Sequence, residues 1–143
     1  MRSTCIRRIQ LLTLSLILCV AGVAAASDSI NWRSYEEGMV LSKIEKKMVF
    51  LHFYADWCGF CRKMANTTFK DSTLIKYLND NFIPIRVNTD NEPQTAGAYG
   101  VAGVPLNVFL TEVGEPVFSV PGYIATDPLM SMLKEVNGIK TGS

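Results

Sequence analysis

The stretch "MVFLHFYA", Met48–Ala55, is almost continuously apolar and is built from β-branched and aromatic residues. A strand with one face in water alternates polar and apolar side chains; this run suits a strand buried on both faces, as in a parallel sheet. The segments around it fit that reading. "WRSYEEGMVLSKIEKK" (Trp32–Lys47) puts Tyr35, Met39 and Ile44 on roughly one helical face, with Ser34 as N-cap and lysines in the last turn. "RKMANTTFKDSTLIKYLNDNF" reads as helix interrupted near Asp71-Ser72, "FIPIRVNTD" as a strand with Pro84 near its start, and "PQTAGAYG" as a short helical turn. "LNVFL" and "PVFSV" flank "TEVGE" as a hairpin with Gly114 in its turn. "TDPLMSMLKEV" is a closing helix capped by Thr126 or Asp127, with Pro128 at its first position. Strands alternating with helices and ending in a hairpin and a helix predict an α/β fold, a central mixed β-sheet with helices on both faces.

Residues 1–26 carry a different signal. Arg2, Arg7 and Arg8 precede the uncharged apolar core "LLTLSLILCVAGV", and "AAAS" supplies small residues suited to cleavage after Ala26. A membrane anchor is the alternative, but the apolar stretch is shorter than the ~20 residues a spanning helix requires. A lipoprotein signal fits less well, since in Leu16-Ile17-Leu18-Cys19 the bulky Leu18 precedes the cysteine where such signals have a small residue. The reading is an export signal at 1–26 and one domain at 27–143, periplasmic, or secreted if the cell has no periplasm. Cleavage leaves Cys58 and Cys61 as the mature cysteines, and 11 Lys and Arg against 13 Asp and Glu. That balance offers no electrostatic case for nucleic acid or an anionic membrane surface. The mature chain is long enough for one core and too short for two; a monomer is expected.

Cys58 and Cys61, in "ADWCGFCRKM", could be a staple, half a metal site or a reacting pair. A disulfide across so short a loop constrains the unfolded chain little. Structural zinc takes four Cys or His ligands, and the mature chain offers two cysteines and one histidine, His52; no metal and no cofactor are expected. Redox chemistry fits better. A thiol at a helix N-terminus feels the positive end of the helix dipole and unpaired N–H groups, both of which favour the attacking thiolate. Cys58, at the strand-to-helix turn, is then the exposed nucleophile, and Cys61, one turn inside, resolves the mixed disulfide.

With "YADWCGFCRKM", "VNTD", "YGVAGVPLNVF" and "PGY" in this order, the chain resembles the thioredoxin superfamily over about Trp32–Val136. Within it, the chain is similar to exported thioredoxin-like proteins and to the C-terminal periplasmic domain of the transmembrane disulfide-interchange reductase. The resemblance implies a thioredoxin fold and thiol–disulfide exchange, with Cys58 attacking, Cys61 resolving and the two forming a redox disulfide. Trp57 would frame the docking surface. Pro105 would be a cis-proline facing the disulfide, where the alternative is an ordinary trans-proline at a strand start. Val104 would offer backbone hydrogen bonds to an extended substrate. Disulfide-containing proteins are the implied substrates, and a transmembrane thiol-reductant carrier the implied electron donor.

Two departures from the family pattern stand out. His52 occupies the place of a buried Asp that accepts the second cysteine's proton. It shares a strand face with Phe50 and Tyr54, so it should point toward the active-site helix, either as that acceptor or as a hydrogen-bonded core histidine. Arg86, where the family often has Lys, would favour neutral His52, or be claimed by Asp56. The other departure is Gly59-Phe60, where thioredoxins have Gly-Pro. Phe60 brings no charge to a thiolate, which argues against a strong oxidant. An oxidase or isomerase of the same fold, and a binding or chaperone module with an incidental disulfide, are the competing functions.

Overall fold

A computed structural model describes residues 28–141; the export signal expected over 1–26 lies outside the described residues. The elements run α1 (Tyr35–Glu45), β1 (Met48–Tyr54), α2 (Gly59–Asn66), a 3-10 turn (Thr68–Lys70), α3 (Ser72–Asn81), β2 (Phe82–Asn88), α4 (Pro93–Ala98), β3 (Leu106–Leu110), β4 (Pro116–Pro121) and α5 (Thr126–Thr141). The strands form one mixed sheet in the order β2-β1-β3-β4. β1 pairs parallel to β2 and antiparallel to β3, and β3 pairs antiparallel to β4. This is the α/β architecture expected from the sequence.

β1 is buried because both its faces are covered. Phe50 packs with Met64 of α2, Leu74 and Leu78 of α3, and Leu129 and Leu133 of α5. On the opposite face, Val49, Leu51 and Phe53 pack with Tyr35 and Met39 of α1 and with Ala96 of α4. Residues of this size each gain about 1.5–3 kcal/mol on full burial. The two outer strands suit their positions. Pro84 of β2 has no N–H to give a neighbour, which an edge strand tolerates. Its carbonyl accepts from the Arg33 N–H at 2.9 Å. β4 begins and ends with proline.

Local chemistry fixes the helix ends. Ser34 Oγ accepts from the Glu37 N–H and donates to Glu37 Oε2, a reciprocal cap. Asp71 Oδ1 accepts from the Leu74 N–H at 2.8 Å, which starts α3 afresh after the 3-10 turn. Two expectations need correction. Ile44 is 71% exposed; the face of α1 that meets the sheet is drawn by Gly38 and Ser42. In α5, Thr126 and Asp127 already lie inside the helix, and the Ala125 carbonyl accepts its first bond, from Leu129 N–H.

Gly38 explains that change of face. A Cβ there would collide with the side chain of the fully buried Ile85 on β2, so glycine lets α1 approach the sheet edge. Helix propensity favours Ala over Gly by about 1 kcal/mol, whereas overpacking costs about 1–3 kcal/mol. Gly38→Ala is expected to destabilise the protein in urea unfolding, by up to about 2 kcal/mol net of the propensity gain. A stabilised variant would show that α1 is free to move outward.

Candidate active site at the end of the central strand

β1 ends at Tyr54, and four residues later the chain turns into α2 with Cys58 as N-cap. Cys58 and Cys61 are disulfide-bonded, with Cα atoms 5.3 Å apart. The Cys61 N–H points at Cys58 Sγ over 3.1 Å, a donor suited to hold a thiolate once the bond is reduced. Cys58 Sγ also lies 3.5 Å from the Val104 carbonyl. The Val104–Pro105 peptide is cis. Cys58 is only 4% exposed, so the open position expected for it is corrected: the oxidised sulfur is tucked among Ala55, Cys61, Tyr54 and Val104.

The exposed apolar surface belongs to its neighbours. Trp57 is 68% and Phe60 63% exposed. Trp57 is nevertheless held, since its Nε1–H donates to Asp90 at 3.0 Å. Asn88 secures the same corner, accepting from the Asp90 N–H and donating to Asp56. A Cβ on Gly59, at the start of α2, would meet Arg62 Nη2 in ordinary contact at 4.0 Å. A groove of about 430 Å³, bordered by Gly100, Val104, Pro105, Pro121 and Gly122, runs beside the cis peptide. Gly100 and Gly122 hold positive φ angles of 62° and 87°, where glycine is favoured. The Gly122 N–H donates to the Pro105 carbonyl at 2.8 Å, closing the turn onto that loop.

His52 is fully buried. It lies on β1 between Phe50, which meets the Met64 cluster, and Tyr54, which meets the cysteines. Register sets Arg86 of β2 on one side and Asn107 of β3 on the other. Asn107 Oδ1 is 2.8 Å from His52 Nδ1. Nε2 has no hydrogen-bond partner among the described residues, and the rings of Trp32, Tyr54 and Phe69 surround the imidazole. Arg86 is not bound by Asp56; its guanidinium stacks 3.7 Å from the Tyr54 ring centre. Burial pulls the His52 pKa down to about 4; the Asn107 bond opposes this and the Arg86 charge adds to it. His52 is therefore neutral at pH 7. Sequence reasoning missed Asn107, whose one signal was an amide in the otherwise apolar strand "LNVFL".

This pKa has a consequence for stability. Free imidazole titrates near 6.5. Between about 4 and 6.5 the unfolded chain therefore binds more protons than the folded one, and stability rises with pH. The contribution is complete above about 6.5 and is lost as pH falls toward 4, with an upper limit of about 3 kcal/mol. Urea unfolding of oxidised protein at pH 7 and pH 4 is expected to show a loss of that order, and His52→Leu to lack His52's share of it. An equal loss in His52→Leu would assign the effect to carboxylates.

A family model described as a thioredoxin-like domain matches residues 35–137. The chain is 30% identical over 112 residues to the chloroplastic M-type thioredoxin of Zea mays, covering 78% of this chain and 61% of that protein. It is 30% identical over 111 residues to the thiol:disulfide interchange protein DsbD of Vibrio cholerae, covering 73% of this chain and 18% of that protein. The chain thus spans less than two thirds of either relative. A solved thioredoxin from Thermus thermophilus is similar with a TM-score of 0.69 at 26% identity, over 76% of this chain and 87% of that one. The chain belongs to the thioredoxin-like domain family, as a thiol–disulfide oxidoreductase-like domain with a disulfide-bonded Cys58–Cys61 pair.

Proposed function

We propose that this protein is an exported thiol–disulfide oxidoreductase that reduces disulfides in protein substrates. The observation that carries the reading is the setting of Cys58 Sγ. It lies at a helix N-terminus, faces the Cys61 N–H at 3.1 Å and the Val104 carbonyl at 3.5 Å, and adjoins the cis-proline groove. The Cys58 thiolate attacks one sulfur of the substrate disulfide; a mixed disulfide forms and the first substrate thiolate leaves. Cys61 then loses its proton and attacks Cys58 Sγ, and the second substrate thiolate leaves and is protonated. Two electrons pass to the substrate, and the Cys58–Cys61 disulfide remains. Trp57 and Phe60 offer the apolar docking surface, and Val104 and Pro105 the edge along which an extended substrate segment lies.

In this reading the unpaired Nε2 of His52 accepts the Cys61 proton. Burial holds the His52 pKa down to about 4, so its protonated form is a high-energy state. The charged pair is then a passing state that Cys61 leaves by attacking, and the proton continues to the departing substrate thiolate.

Export follows the leader-like residues 1–26. The likeness to DsbD, a thiol:disulfide interchange protein by name, supports an extracytoplasmic site of action. A reductase there needs a membrane-spanning dithiol carrier to restore its own dithiol. Phe60 supports the reducing direction over the oxidising or isomerising alternative, since it adds no charge to stabilise a thiolate.

Cys58→Ser is expected to abolish reduction of a protein disulfide. Cys61→Ser is expected to accumulate a mixed disulfide at Cys58, read by mass spectrometry. His52→Leu should slow resolution while leaving the first attack near wild type. Activity surviving in Cys58→Ser would favour a binding or chaperone role, and unchanged resolution in His52→Leu would return that histidine to the core.

A further inference from the structure

Asn107 is fully buried, and each polar atom of its carboxamide is engaged. Nδ2 donates to the Val120 carbonyl at 3.2 Å and to the Gly122 carbonyl at 3.1 Å. Two carbonyl oxygens can only accept, so the NH2 group must face them and Oδ1 must face His52. Oδ1 in turn can only accept, so His52 Nδ1 carries the hydrogen. In a neutral imidazole that leaves the lone pair on Nε2. The tautomer thus follows from backbone carbonyls on the neighbouring strand and turn.

The same amide reaches the groove. Gly122, which receives one Nδ2 bond, donates its own N–H to Pro105. A continuous path runs from His52 through Asn107 and Gly122 to the loop against which Cys58 lies. The groups facing His52 are accounted for: Arg86 from β2, Tyr54 on its own strand, Trp32 and Phe69 as uncharged rings, and Asn107 from β3. Asn107 is the one that contributes a hydrogen bond.

We infer that Asn107 is a positioning residue for exchange, which fixes His52 as the Nδ1–H tautomer with Nε2 as a buried acceptor and ties that acceptor to the turn beside cis-Pro105. This rests on the reading that Cys61 must lose a proton to His52 for the second step.

The first test needs no variant. In long-range 1H–15N correlation spectra of 15N-labelled full-length protein at pH 7, His52 is expected to show a protonated Nδ1 and a bare Nε2. A protonated Nε2 would overturn the inference. Next, single-turnover resolution of a preformed mixed disulfide is compared in Asn107→Leu, His52→Leu and the double variant. Asn107→Leu is expected to lose the fixed tautomer and to resolve at least about 10²-fold more slowly, the lower range for a positioned base, while Cys58 alkylation keeps its rate. In the His52→Leu background, Asn107→Leu should slow resolution no further. An equal additional loss there, or an unchanged tautomer in Asn107→Leu, would make Asn107 a structural residue only. The apolar pair in the double variant keeps the comparison open if Asn107→Leu alone folds poorly. Wild-type protein that exchanges no disulfide would remove the proposed function and leave the tautomer measurement to stand separately.

Discussion

The structure depends on the two-sided burial of β1. Its residues from Met48 to Phe53 are at most 3% exposed, flanked by β2 and β3 in the sheet and by helices above and below. Such a strand has a fixed register and direction. Its C-terminal end, continued by four residues, delivers Cys58 to the first turn of α2. A polar residue placed within it also has no route to water. His52 is that residue, and its burial demands a hydrogen-bond partner, which Asn107 supplies from the adjacent strand.

The polar row Arg86–His52–Asn107 crosses three strands at one level of the sheet. Its members differ in how they meet the cost of burial. Arg86 is partly exposed and lays its charge over Tyr54. Asn107 satisfies its amide fully. His52 satisfies one ring nitrogen and leaves the other unpaired, a group that is costly in a core and useful as an acceptor. The cysteines lie beyond it toward the start of α2, where Cys58 meets the Cys61 N–H and the Val104 carbonyl.

Much of this was legible in the chain. The unbroken apolar run of Met48–Ala55 specified a two-sided strand, and the fold class followed from the alternation around it. The spacing of Cys58 and Cys61 pointed to a cysteine pair at a helix start, where the structure has them bonded. What could not be read was set by contacts distant in sequence. The face of α1 that turns inward is decided by the fit of Gly38 against Ile85, forty-seven positions later, and Ile44 was misplaced for want of it. Cys58 was read as open because motif position says nothing of Val104 folding over it. Asn107 carries no signal of its role within a hairpin strand, and only the register sets it beside His52; Asp56 is a fit partner for Arg86 by charge, but the Tyr54 ring is the one that receives it.

The most direct measurement is the reduction potential of the Cys58–Cys61 pair, with the protein equilibrated against glutathione and dithiothreitol buffers. Within the loop, a thiolate finds the Cys61 N–H and the helix end, while the Arg62 guanidinium donates to the Asp56 carbonyl at 2.8 Å and Phe60 adds no charge; a dithiol so placed should be reducing. The account calls for a value near about −270 mV, in the range of thioredoxin. A value near about −120 mV would make the pair an oxidant, reversing the direction of electron flow and contradicting the reductase reading.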